Sequence, residues 1–300
     1  MYWKVEVRNW YELKSTAEKL NDYVFRGHAD KDWPLSSKFE RDTEYIGREN
    51  FIKRYHYEHK MLKEFKRYAH QYVIHPPKED DLLGWLSILQ HHGGSTRLLD
   101  FTQSLYIATF FAVEKQEKES AVWAVNKTVL AINTIDKNDD PQIIKESLKS
   151  EEPVDNFMRK TINKELLDEE KFYEERLLNK VCEKDNKLAA AEPAYLHERL
   201  VVQQGVFLFA FNLETGFEKV FVSHFDPNLD SLADKYAQLK TINDIKNIDE
   251  NSSPTIIKFI LPKNVGLEAF DDLRLMNITA ASLFPGLDGY ARSLNFILRK

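Results

Sequence analysis

Cysteine is almost absent: Cys182 is the only one in 300 residues, so no disulfide can form within the chain and no cysteine-based zinc site can be built. An excess of basic charge is missing too. The formal charge of -6 does not suggest a general nucleic-acid binder, which would normally be basic overall, and it leaves room for a local basic cleft. Long apolar runs are also lacking. A membrane helix needs roughly 18 consecutive apolar residues, and the longest block here, Leu105 to Val113, is about half that length. The opening MYWKVEVRNWYELKS carries charges throughout and has no signal-peptide core. A cytoplasmic protein without membrane association is therefore expected. Repeats and low-complexity linkers are absent as well, so one elaborated domain over residues 1–300 is expected. With 43% hydrophobic and 12% aromatic residues, such a domain can bury a sizeable core.

The pattern of apolar residues predicts the elements that are present. Asn21–Gly27 reads as a short strand with a polar tip. Arg48 to Ala69 spaces Phe51, Tyr55, Met61, Leu62, Phe65 and Tyr68 for one helix face. Asp80 to His92 is a second helix, with acids at its start and Gly93-Gly94 as its stop. Thr96 to Phe101 is short and mostly apolar, and Ser104 to Glu117 reads as a buried helix that surfaces at its charged end. Ala121–Val125, Val206–Phe211, Lys219–Ser223 and Thr255–Leu261 are strand candidates. The charged stretch from Asp136 to Lys187, within an insertion of about 136–190, is expected to be mostly helical and exposed. The tail from Leu267 reads as helices broken at Pro285-Gly286.

Three groups of polar residues suggest chemistry. Arg26 ends an apolar strand, and its planar guanidinium suits phosphate or carboxylate. Gly27 beside it removes bulk and allows a ligand close to the backbone. Next, Gln90-His91-His92-Gly93-Gly94 leads into Ser95-Thr96-Arg97-Leu98-Leu99-Asp100-Phe101-Thr102, where Arg97 and Asp100 bracket two leucines. Charges in a buried strand are expensive unless paired, so Arg97 and Asp100 either pair with each other or Arg26, or line a pocket. Adjacent histidines diverge and make a poor metal site alone, so no metal is expected. Third, Glu198 stands on a helical turn before Gln203-Gln204-Gly205, whose amides either read a ligand's polar edge or hold a turn. In Ser282–Ala291, by contrast, Pro285-Gly286 favours a structural turn.

Together these segments resemble the FRG-domain family. The resemblance rests on Phe25-Arg26-Gly27, Trp33-Pro34-Leu35, Gln90-His91-His92-Gly93 with Thr96–Thr102, and Ala108-Thr109-Phe110-Phe111-Ala112. It continues through Arg199 with Gln204-Gly205-Val206-Phe207 and through Leu283-Phe284-Pro285-Gly286-Leu287-Asp288-Gly289. His28 and Ser95 depart from residues frequent there, Gln and Pro.

A looser likeness to ADP-ribosyltransferases of the Arg-Ser-Glu type implies a reaction. It implies an α+β fold in which central antiparallel sheets form a cleft surrounded by helices. Arg26, Gly27, His91, His92, Thr96, Arg97, Asp100 and Thr102 would hold NAD as substrate, and Arg26, Glu198 and Gln204 would be catalytic. A clear Ser-Thr-Ser triplet or Glu-x-Glu pair is missing. The expected activity is ADP-ribosyl transfer or NAD cleavage, on a protein or nucleic-acid target. The resemblance extends to a toxin in antiphage or toxin–antitoxin defence, with an antitoxin or regulatory partner. Two other readings stand beside it: a phosphodiester-cleaving nuclease using His91 or His92 as base, and a non-catalytic module that binds a nucleotide or partner.

Overall fold

A computed structural model describes residues 1–46, 51–134, 154–174, 186–225, 231–248 and 253–298. The fold is α+β. Its strands are β1 (Tyr2–Glu6), β2 (Tyr23–His28), β3 (Leu99–Thr102), β4 (Ser120–Asn126), β5 (Leu188–Ala191), β6 (Gly205–Ala210), β7 (Gln238–Lys240) and β8 (Ile256–Leu261). They join in a single sheet of order β5-β6-β3-β2-β4-β8-β1-β7. The expected sheets are thus one sheet, and it is mixed: β1 runs parallel to β7 and β8, and the remaining pairs are antiparallel.

Strand β2 lies inside this sheet because its first three residues are apolar toward both faces. Tyr23 and Phe25 join a core with α1 (Trp10–Lys14), α5 (Leu105–Val113) and α11 (Lys263–Leu275). Val24 joins a second core with β3, β6 and α9 (Phe217–Phe225). A third core gathers α3 (Phe51–Ala69), α4 (Leu82–His91) and α7 (Val154–Glu174) around Phe207 and Phe209 of β6. The remaining helices are α2 (Lys38–Asp42), α6 (Lys127–Thr134), α8 (Glu198–Val202), α10 (Ile242–Lys246), α12 (Ala280–Leu283) and α13 (Leu287–Ser293). Among the described residues no helix is long and apolar enough to cross a membrane.

Helix α5 is apolar nearly all round and is buried as that pattern requires, Phe110 being 2% exposed. Ser104 caps it, its hydroxyl accepting from Ile107 N at 3.3 Å. The helix presses directly on β2, and this contact explains Gly27. A Cβ there would stand 2.0 Å from the Ala108 carbonyl oxygen and 2.6 Å from Ala112 N. The missing bulk therefore admits a helix backbone, correcting the expectation that it admits a ligand. Gly27→Ala is expected to destabilise the fold by about 3 kcal/mol, measured by chemical denaturation, because neither backbone can yield easily.

Two further expectations change. Lys219–Ser223 belongs to helix α9 rather than a strand, since Phe217, Val220, Phe221 and His224 are buried at helical spacing. Its β-branched valines favoured the strand pattern. Of the charged stretch, α7 is described and helical, whereas residues 135–153 and 175–185, Cys182 included, lie outside the described residues. Leu188–Ala191, at the end of the expected insertion, is the edge strand β5. An alanine run gives little strand signal.

Candidate functional site

Where β2 and β3 pair, the end of α4, the start of α8 and the short helix α2 converge on a cleft of about 210 Å³. Arg26 enters it from β2. Its Nη1 donates to the Asp100 carbonyl at 2.6 Å and its Nε donates to His28 Nε2 at 3.0 Å. For that bond the His28 ring must be neutral with its hydrogen on Nδ1. Burial, followed by the adjacent Arg26 charge, pushes His28 down to about 3, which keeps it neutral. Burial also lowers Arg26 to about 10, so the guanidinium stays charged at neutral pH.

Asp100 brings the carboxylate. Thr96 Oγ1 donates to Gln90 Oε1, which turns the Gln90 amide so that Nε2 donates to Asp100 Oδ1 at 2.6 Å. The carboxylate remains exposed to the cleft. Lys38 and Arg41 arrive from α2, whose N-cap is Ser37, and donate to the carbonyls of Gly93 and Ser36. Arg199 arrives from α8 with its guanidinium 4.6 Å from the Phe284 ring centre. Among the described residues none of these four cations forms an ion pair with a carboxylate. Four cations around one exposed carboxylate give the cleft a local excess of positive charge, in a chain that is acidic overall.

Two imidazoles border it. His91, from the last turn of α4, and His197, the N-cap of α8, have ring centres 4.1 Å apart. His197 Nδ1 accepts from Leu200 N at 3.2 Å, so the ring's hydrogen is on Nε2. Burial and the neighbouring His91 and Arg199 hold His197 down at about 4, and burial with His92 lowers His91. Both rings are therefore neutral at pH 7; the acceptor nitrogen of His197 is engaged by Leu200 N, which leaves His91 as the ring able to take a proton.

The other residues singled out in the sequence are placed elsewhere. Arg97 is turned away from Arg26 and fully buried, 1% exposed, between Glu58 and Glu169. Its Nε donates to Glu58 Oε2 at 2.6 Å and its Nη2 to Glu169 Oε2 at 2.8 Å. It is an internal strut, and the proposed grouping of Arg97 with Arg26 and Asp100 is corrected accordingly. Thr102 is buried and donates to the Gln203 carbonyl at 2.7 Å. His92 meets His91 edge to face, ring centres 4.8 Å apart, but is exposed outside the cleft lining. Glu198 is exposed on the first turn of α8, also outside that lining. Gln204 is exposed with φ of 46°, and its carbonyl accepts from Gln103 N at 2.9 Å, so it holds the turn into β6. Gln203 instead lines the cleft and donates from Nε2 to the Leu283 carbonyl at 2.8 Å. Together with Phe284, that contact ties the Pro-Gly turn segment to the cleft.

Lys38, Arg41 and His197 were not singled out in the sequence. Lys38 and Arg41, three apart after Ser36-Ser37, had the spacing of one helix face but no apolar context to mark them. Among the described residues no group of three or more His, Cys, Asp or Glu is placed to hold a metal ion.

The site thus defines an α+β protein with a cleft, lined by four cations and one carboxylate, beside the β2–β3 pair of a mixed sheet. Residues 21–121, about a third of the chain, match the FRG domain. That segment contains Arg26, Lys38, Arg41, His91 and Asp100, whereas His197 and Arg199 lie beyond it. No curated protein and no solved structure matches the chain.

His28 gives the cleft a pH signature. Its folded pKa lies below the ordinary 6.5, so between pH 6.5 and about 3 the unfolded chain binds a proton that the folded chain does not. Its contribution to stability is present above pH 6.5 and is lost as pH falls through that window. From pH 6.5 to 5 the loss is about 2 kcal/mol, at roughly 1.4 kcal/mol per pH unit. His28→Gln should flatten the stability–pH curve by that amount, and unchanged steepness in denaturation at both pH values would remove the buried neutral imidazole from the account.

Proposed function

We propose that the cleft binds NAD through its phosphates and breaks the bond between nicotinamide and ribose, passing ADP-ribose to water or to an acceptor on a protein or nucleic acid. The observation that carries this reading is the four cations without carboxylate partners facing the single exposed carboxylate of Asp100. Arginine forks match pyrophosphate oxygens. As the C1′–N bond breaks, nicotinamide leaves with the bonding pair and positive charge grows on the ribose. A fixed carboxylate stabilises that oxocarbenium-like state more than the ground state. Asp100, oriented by the Thr96–Gln90 chain, takes this role in place of Glu198 or Gln204. A relation to ADP-ribosyltransferases is part of this proposal.

Nicotinamide release from NAD, followed chromatographically, tests it. Asp100→Asn keeps the size and one acceptor oxygen, and is expected to lower turnover about a hundredfold with little change in KM. A rise in KM alone, with turnover unchanged, would assign Asp100 to binding.

The contact between His91 and His197 favours a second reading, cleavage of a phosphodiester with one imidazole as base and the cations on the phosphate. End-labelled RNA separates the two. Cleavage that disappears in His91→Ala while NAD stays intact supports the second.

A further inference from the structure

Phe284 connects the cleft to a second cavity. Arg199, which lines the cleft, stacks on its ring, and so does Arg292, 4.1 Å from the ring centre, which lines the cavity. The cavity measures about 320 Å³ and lies among α5, α11, the start of α12 and the final 3-10 turn Leu294–Leu298. Its volume falls in the range of small-molecule sites. Phe110 and Phe270 form one wall, nearly parallel with ring centres 6.4 Å apart, and Ile278 and Phe296 complete the apolar lining.

The charges there are unequal. Arg292 is satisfied, its Nε and Nη2 both donating to the Glu114 carboxylate. Lys115 and Arg274 have no such partner among the described residues. Arg274 covers the Phe296 ring at 4.8 Å instead. Two unpaired cations at the mouth of a cavity lined with aromatic rings complement a molecule with one flat apolar body and one acid group.

We propose that this cavity is a second binding site, distinct from the cleft, for an aromatic acid carrying a carboxylate or sulfonate. The ring system would lie among Phe110, Phe270 and Phe296, and the acid group would reach Lys115 and Arg274. This inference stands on its own residues and does not depend on NAD chemistry.

The probe is 1-anilinonaphthalene-8-sulfonate, titrated by fluorescence into the full chain. Saturable binding of one probe per chain is expected. The charge reversal Lys115→Glu with Arg274→Glu should weaken it at least about tenfold. Both positions are exposed, so the melting temperature should hold, which keeps this variant usable. Ile278→Trp fills the cavity and should abolish the enhancement, whereas Arg26→Ala should leave it unchanged. Absence of saturable binding, equal affinity after the charge reversal, or loss of binding in Arg26→Ala would overturn the proposal, the last by placing the probe in the cleft.

Discussion

Arg97→Met should cost the fold about 3–5 kcal/mol, the largest stability loss expected of any single substitution considered, because it strands two buried carboxylates. Arg97 is 1% exposed, and Glu58 and Glu169 around it are 3% and 8% exposed. Burial by itself would lower the guanidinium's pKa, but the two carboxylates outweigh it and hold the charge. Burial pushes Glu169 up, only partly opposed by Arg97. Without the cation, both acids must take up protons or draw in water, and each course opposes folding. The rings of Tyr55 and Phe209, 5.3 Å and 5.0 Å from the guanidinium carbon, lose their cation as well. Chemical denaturation measures the loss. Adding Glu58→Gln and Glu169→Gln to Arg97→Met should recover much of it, since neutral amides are cheaper to bury than unpaired carboxylates. A single variant as stable as wild type would mean that the ion network has no structural role.

Arg26→Ala carries the largest expected effect on activity: a loss of NAD turnover of at least about a hundredfold, from two or more charge-assisted bonds at about 1.5–3 kcal/mol each. Stability should fall by about 1–3 kcal/mol, less than the loss in activity. The half-buried guanidinium gives up one bond to the Asp100 carbonyl and one to His28, and adds little packing. Arg26→Lys should restore activity poorly. An ammonium keeps the charge but cannot use His28 to lock a planar fork toward the ligand. NAD consumption and melting temperature, measured on the three proteins together, check this. Equal loss of fold and activity in Arg26→Ala would make Arg26 a structural residue.

Helix α5 was legible because Ser104 offers a cap and the nine residues after it, apolar on every side but for Thr109, are longer than most buried strands. Arg26 and Asp100 were legible as charges in apolar strands. Arg97 gave the same signal but a different outcome. It lies at a bend two residues before β3 begins, so the alternation of the strand does not carry it to the side of Asp100, and it turns into the third core instead. Its partners are 39 and 72 residues away, where nothing local marks them. Glu198 was chosen for its place in the order of segments, but the side chain that enters the cleft is His197, one residue earlier, because capping α8 turns its ring inward. Strands β5 and β7 escaped notice because four and three residues are too few to establish a period of two, and β1 because Lys4 and Glu6 interrupt its apolar residues.

The central claim is that the unpaired cations of this cleft bind NAD. Calorimetric titration of NAD into wild type and Arg26→Ala tests it most directly, with no chemistry required. Saturable binding at one site in wild type, weakened at least about tenfold in an Arg26→Ala protein that still melts cooperatively a few degrees lower, is the predicted result. No binding in wild type, or equal affinity in both proteins, would contradict it.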